Sequence, residues 1–245
     1  MWQQGERATG YLLATACCRA LTADYLLPTA MTDAGSNVNC WSAAEHALDY
    51  LSRIDTIPHR AEGEAALLDS VPKDVNRVLD LGSGDGRLLR LLKIDRPRAQ
   101  AVAVDFSPVM LSALRKAFAG DPAVTIVEHN LDHFLPSLGQ FDAVVSSFAI
   151  HHLADERKRS LCEEIFHLLL PRGVFLNLEH VSSPTDALHE CFLKKLGIRP
   201  EEEDPSNKLL DVETQLRWMR QIGFVDVDCY WKWLELALLA GKKPL

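Results

Sequence analysis

Between residues 77 and 92 the chain changes hydrophobic period across one glycine-rich turn. RVLDL (77–81) is a short apolar run, GSGDG (82–86) breaks it, and RLLRLL (87–92) resumes with leucines at helical spacing. A buried strand that passes straight into a helix commits this stretch to an α/β unit. The unit repeats in kind: AVAVD (101–105), VTIV (124–127), FDAVVSS (141–147) and GVFLNLEHV (173–181) read as strands. Residues 108–118 and 155–169 read as the helices between them, the latter with Leu161, Ile165, Leu168 and Leu169 on one face. Strands alternating with helices of this length require right-handed crossovers, and hence a doubly wound, mostly parallel sheet covered on both faces. The alternation stops after a helical stretch at 185–196. The acidic, proline-bearing IRPEEEDPSN (198–207) reads as a surface loop, and a last helix over 211–222 ends at Gly223. FVDVDCYW and KWLELALLAG then leave no room for a helix between them, so they pair as an antiparallel hairpin.

Ahead of the first strand, Ala44, Ala47, Leu48 and Leu51 recur at helical spacing behind a candidate N-cap at Ser42, and a second helix covers roughly 60–69. Residues 8–18 are only mildly apolar between Arg7 and Arg19 and are read as part of a 1–38 extension rather than a signal peptide. The folded domain is assigned to 39–245: lid helices over 39–70, a ligand-binding core over 76–183, an insert over 184–210, and a last helix and hairpin over 211–245. At 245 residues and 47% hydrophobic composition the chain can bury a core without staples. Its six cysteines (17, 18, 40, 162, 191, 229) form no CxxC pair or Cys/His cluster, which points away from zinc and disulfides and toward a reducing, cytoplasmic setting. No run of eighteen apolar residues occurs, so no membrane span is expected. The net charge of -8 argues against a nucleic acid partner.

Chemistry concentrates at the carboxyl ends of the first strands. Gly82, Gly84 and Gly86 allow a tight turn that brings backbone amides, including that of Ser83, against a ligand, and the following helix adds partial positive charge. Asp105 ends the second strand, where a carboxylate can accept from ribose hydroxyls. A dinucleotide site wants G-x-G-x-x-G, and here Arg87 stands where the third glycine should be. Asp80, at the end of the first strand, would repel a pyrophosphate and attract an ammonium group. These residues suit an amino acid joined to a nucleoside.

Over roughly residues 40–243 the chain resembles the class I S-adenosylmethionine-dependent methyltransferases. VLDLGSGDG, AVAVDFSPVML, VEHNLDH, FDAVVSSFAIHHL and LPRGVFLNLEHV occur in that family's order, before the hairpin that ends its seven-stranded Rossmann-like sheet. The resemblance implies S-adenosylmethionine as cofactor. Asp80 and the Gly82–Gly86 turn would hold the methionine part, and Asp105 the ribose. Phe106 would flank the adenine, and Asn130 and the Leu131 amide would meet its edge. Ser147 and Phe148 would lie beside the departing methyl, and Arg60 would pair with the cofactor carboxylate. PRG (171–173) stands where the family usually has a PGG turn. His151 and His152 are candidate general bases beside the fourth strand, and Glu179 and His180 form a second polar pair. Trp41, Tyr50 and His59 suit an aromatic lid, and the run Glu201–Asp204 a solvated face. The function expected is methyl transfer to a small-molecule acceptor at O, N or C, without a metal. The alternatives are a tRNA-modification enzyme related to the carboxy-S-adenosylmethionine synthase, whose C-terminal stretch is similar to VETQLRWMRQIGFVDVDCYWKW, a non-catalytic cofactor-binding regulator, and a dehydrogenase.

Overall fold

Seven strands form one sheet: β1 (Arg77–Leu81), β2 (Gln100–Asp105), β3 (Val124–Glu128), β4 (Phe141–Ser147), β5 (Leu169–His180), β6 (Val225–Trp233) and β7 (Leu236–Lys242). The computed structural model that shows this describes Trp41, residues 43–53 and residues 56–245; the expected cap Ser42, the 1–38 extension and the first three cysteines lie outside the described residues. The strand order is β3-β2-β1-β4-β5-β7-β6, with β1 to β5 parallel and β7 antiparallel to both its neighbours, as the sequence reading requires. Among the described residues seven α-helices accompany the sheet: α1 (Ala44–Arg53), α2 (Arg60–Ser70), α3 (Arg87–Asp95), α4 (Pro108–Ala117), α5 (Asp155–Leu168), α6 (Asp186–Leu196) and α7 (Val212–Ile222).

Strand periodicity divides the core in two. Val78 packs with Leu67 of α2 and with Leu88 and Leu92 of α3, whereas Leu79 and Leu81 pack with Leu161 and Ile165 of α5 and with Leu216 and Met219 of α7. Four of the five β1 residues are buried, which accounts for its unbroken apolar run. The connection from β3 returns across the sheet to β4, so the strand order reverses beside β1. There the carboxyl ends of β1, β2 and β4 lie side by side, with Leu81 opposite Val104 and Ser146, in the crevice where open α/β sheets take their ligands.

One stretch differs from the sequence reading: Leu169, expected on the apolar face of the 155–169 helix, instead opens β5. PRG (171–173) is not a turn that precedes the fifth strand, because β5 already begins at Leu169 and carries these residues as an irregularity between the pairs Phe141↔Leu169 and Ala143↔Val174. Arg172 takes a positive φ of 68°, its amide donates to the Lys243 carbonyl at 2.9 Å, and Lys243 N donates to Gly173 O at 2.9 Å. The chain end thus satisfies the backbone groups that a turn would have used internally. Among the described residues no helix is long and apolar enough to cross a membrane.

Candidate functional site

The glycine turn is built onto β2. Ser83 N donates to Val104 O at 2.9 Å, and Ser83 Oγ donates back to the Asp80 carbonyl at 2.9 Å. Asp105, at the end of β2, closes the other side: its Oδ2 accepts from Gly84 N at 2.8 Å and its Oδ1 from Ser107 N at 2.9 Å. Each carboxylate oxygen retains a second lone pair, so this anchored side chain can still accept from two hydroxyls. Burial pushes the Asp105 carboxyl above its ordinary range, and the backbone amides oppose that shift.

Asp80 is 1% exposed, and its Oδ2 has no hydrogen-bond partner. Burial, and after it the neighbouring Asp105 and Asp85, push its carboxyl up to about 7, while the Ser83 hydroxyl acts in the opposite sense. A buried carboxylate oxygen without a donor is costly unless a ligand supplies one. An ammonium group is the donor that would also restore the charge.

Around these residues opens a cleft of ≈ 870 Å³, counted with its mouth. Of the residues expected from sequence, Arg60, Asp80, Gly82, Ser83, Gly84, Asp105, Phe106, Asn130, Leu131, Ser147, Phe148 and His152 line it; Gly86 and His151 do not. Gly86 instead starts α3 at φ 84°, where a Cβ would meet Leu114 and Phe118 at 2.7 Å. Asn130 Oδ1 accepts from Asp132 N at 2.9 Å, so its oxygen is already engaged by a local turn. Ser147 Oγ is buried without a partner beside Phe148, which takes φ 54° and donates its amide to Leu178 O at 2.8 Å.

Trp41, ahead of α1, Tyr50 on α1 and Arg60 on α2 also line the cleft. Arg60 Nε donates to Glu64 Oε1 at 2.8 Å and Arg60 Nη1 to the Tyr50 hydroxyl at 2.9 Å, with the guanidinium 5.0 Å over the Phe148 ring. Arg87 reaches the same carboxylate bidentately, at 2.8 and 3.0 Å. Two guanidinium groups therefore converge on a single buried Glu64, and the residue that replaces the dinucleotide glycine ties α3 to α2. Sequence reasoning missed Glu64; its only local signal is the i, i+4 spacing from Arg60.

The two histidines part company. His151 is buried behind the cleft, its Nδ1 2.5 Å from Glu179 Oε1, and burial drives its pKa well down while lifting Glu179 to about 7. His152 lines the cleft with its ring 3.9 Å from that of His151 and 5.1 Å from that of Trp41. Burial, and then the neighbouring His151, lower its pKa to about 3, so the ring is neutral at working pH. The second polar pair divides as well, for His180 turns to Glu235 at 3.0 Å, and Glu235 also meets His189 at 2.9 Å. Of the acidic run, Asp204 turns inward to His46 at 3.3 Å, and Ser206, which the sequence did not mark, lies 2.9 Å from His152 Nδ1. No cluster among the described residues could hold a metal ion.

Known proteins place this arrangement. Residues 78–173 match the family described as "Methyltransferase domain". A demethylmenaquinone methyltransferase of Thermus thermophilus is 36% identical over 121 residues, which cover 49% of this chain and 53% of that protein. A carboxy-S-adenosyl-L-methionine synthase of Nautilia profundicola is 22% identical over 192 residues, covering 72% of this chain and 81% of that protein. The chain thus spans about half the length of the first relative and more of the second. An O-methyltransferase family protein from Burkholderia thailandensis aligns with a TM-score of 0.66 at 20% identity, covering 83% of this chain and 61% of that one, a likeness of fold. Strand order, glycine turn, paired carboxylates and these matches agree: residues 78–173 form a methyltransferase domain, in a sheet with the strand order of the class I S-adenosylmethionine-dependent methyltransferase fold.

Proposed function

We propose that this chain transfers a methyl group from S-adenosylmethionine to a small-molecule acceptor enclosed beneath the α1 and α2 helices. The observation that carries the reading is Asp80, whose unpartnered, buried carboxylate oxygen stands in the same cleft as the amide-anchored Asp105. Asp80 would take the amino group of the cofactor's methionine part, and Asp105 its ribose hydroxyls. The Gly82–Gly84 amides would lie along the chain between them. Arg60, already oriented by Glu64 and Tyr50, would face the carboxylate, and Phe106, Asn130 and Leu131 would flank the adenine. When bound, the cofactor supplies a methyl group already activated on a positively charged sulfur. The protein's own work is then to align the acceptor, exclude water and receive a proton if the nucleophile carries one.

Trp41, Tyr50, Phe148 and Leu153 form an apolar, aromatic side to the cleft, which favours a flat acceptor. His152, neutral and facing the cleft, would accept the proton, with the His151–Glu179 pair behind it. Residues 39–70 would then serve as the lid and 184–210 as the acceptor-side insert. The relative named demethylmenaquinone methyltransferase acts on a small molecule, and the net charge of -8 disfavours a nucleic acid acceptor in a cytoplasmic setting.

Calorimetry tests the cofactor site. S-adenosylhomocysteine should bind and NAD should not, and Asp105→Ala should weaken binding by about 2 to 4 kcal/mol, roughly 30- to 1000-fold. Binding of NAD alone would overturn the proposal. The raised Asp80 carboxyl adds a pH test. The folded, unliganded protein holds this proton to higher pH than the unfolded chain, so that contribution to stability fades as pH rises from about 4 through 7. Ammonium binding needs the ionised form, so affinity runs the other way. It should fall about tenfold from pH 8 to pH 6, and Asp80→Asn should flatten the dependence. Affinity that rises toward acid would remove Asp80 from the site.

A second reading has one observation in its favour: the carboxy-S-adenosyl-L-methionine synthase is matched over 72% of this chain. Mass spectrometry of cofactor that purifies with the protein separates the two, since an extra carboxylate mass would favour the synthase.

A further inference from the structure

His152 faces the cleft, yet its Nδ1 turns away, toward the acidic insert. Nδ1 lies 2.9 Å from Ser206 Oγ and 3.4 Å from the Ser206 carbonyl oxygen. Ser206 Oγ donates to Asp204 Oδ1 at 2.7 Å, and Ser206 N donates to the same oxygen at 2.8 Å. The other Asp204 oxygen lies 3.3 Å from His46 Nε2 on α1. Burial works against ionisation of Asp204, but the hydrogen bonds from the Ser206 hydroxyl and amide lead the effects that hold the carboxyl below its ordinary range. Asp204 is therefore a carboxylate that can only accept.

That decides where the protons sit. A serine hydroxyl has one hydrogen, and two oxygens 2.7 Å apart need it between them. With the hydrogen committed to Asp204, Ser206 Oγ can only accept from His152, and so can the carbonyl oxygen beside it. Nδ1 must carry the imidazole hydrogen. Nε2 then holds the lone pair, and among the described residues it has no hydrogen-bond partner.

We infer that Asp204 and Ser206 are positioning residues that fix His152 in its Nδ1–H tautomer and present a bare Nε2 to the acceptor. This rests on the proposed reading that the acceptor enters this cleft. The step balances: the acceptor's X–H bond breaks as its proton moves to Nε2, the freed pair forms the bond to the methyl carbon, and the methyl–sulfur pair stays on sulfur. The resulting imidazolium keeps its Nδ1 hydrogen and is stabilised by Asp204 through Ser206. The same contacts make the insert part of the site, for Asp204 joins it to α1, whose His46 packs edge-on against Trp41 at 4.7 Å.

Nitrogen NMR of the full chain with labelled histidine, with the His152 signals assigned by their loss in His152→Gln, reads the tautomer directly. The native ring should show a protonated Nδ1 and an unprotonated Nε2. In Asp204→Ala the Ser206 hydroxyl loses its acceptor and is released to donate to Nδ1, so hydrogen should move to Nε2. Ser206→Ala should give a mixture, and Ser206→Thr, which keeps the hydroxyl, should restore the native pattern. With a methyl acceptor in hand, kcat should fall about 10- to 100-fold in the first two variants while S-adenosylhomocysteine affinity stays within about twofold. A native ring protonated at Nε2, or a tautomer unmoved by both variants, overturns the inference. Failure of S-adenosylhomocysteine to bind would instead sink the proposed function and leave the tautomer result standing.

Discussion

Gly82→Ala is expected to destabilise the protein by about 2 to 5 kcal/mol and to abolish S-adenosylhomocysteine binding. Gly82 takes φ 67°, and a Cβ placed there would lie 2.2 Å from the Cβ of Ala149 and 3.6 Å from its Cα. The left-handed conformation costs a non-glycine residue about 1 to 2 kcal/mol, and forcing a methyl group into occupied space adds about 1 to 3. Little can yield. Ala149 follows Phe148, which takes φ 54° and donates its backbone N–H in a hydrogen bond to Leu178 O, and it precedes the short helical turn that carries His151 and His152. Displacing it moves the Ser147–Phe148 wall away from the glycine turn, so the two sides of the cleft lose register together. Gly84→Ala supplies the comparison. Its φ of 56° imposes the same backbone cost, but the nearest atom to its Cβ is Met110 Sδ at 4.0 Å, so the loss should stay near 1 to 2 kcal/mol. Thermal unfolding of both variants with calorimetry checks this; equal losses would mean that contact with Ala149 is not what demands the glycine.

The contrast between these glycines marks the limit of what the sequence discloses. GSGDG shows that the chain must turn sharply between β1 and α3, because that demand is local and glycine meets it. Which glycine is pressed from outside depends on Ala149 for Gly82 and on Leu114 and Phe118 for Gly86, residues of other elements. Asp80 and Asp105 were legible for the same local reason, since a carboxylate ending an apolar strand has to face a ligand or a partner at the sheet edge. The sheet itself followed from alternating periods and from the absence of any helix between the last two strands. Glu64 was not legible because its second partner lies 23 residues away, nor was Ser206, 54 residues beyond His152. In the acidic run, composition alone cannot tell exposed Glu201 and Glu202 from half-buried Asp204; the backbone bond from Lys208 N to His151 O draws this stretch of chain onto the site. PRG misled because a turn sequence can equally make a bulge when another segment, here Lys243, takes its backbone bonds.

Glu64→Ala is expected to cost about 3 to 5 kcal/mol, the scale for removing one partner from a buried ion pair. Glu64 is 2% exposed and Arg60 5%, so alanine would leave a guanidinium out of water with the Tyr50 hydroxyl in place of a countercharge. Arg87 is less enclosed, at 26%, and can turn outward, so most of the loss falls on Arg60. The pair does not owe its presence to stability alone. Replacing both partners with apolar residues, Arg60→Met with Glu64→Leu, should recover most of the loss, because the desolvation of two charges disappears with them. If Arg60 meets the cofactor carboxylate, the recovered double variant should still bind S-adenosylhomocysteine poorly while keeping its affinity for methylthioadenosine, which lacks the amino-acid part. Chemical denaturation with calorimetry separates the two effects. A loss under about 1 kcal/mol for Glu64→Ala would mean that water reaches this carboxylate, and that α2 is held on the sheet by its apolar face, where Gly63 lies against Leu178 and Trp231, without help from the ion pair.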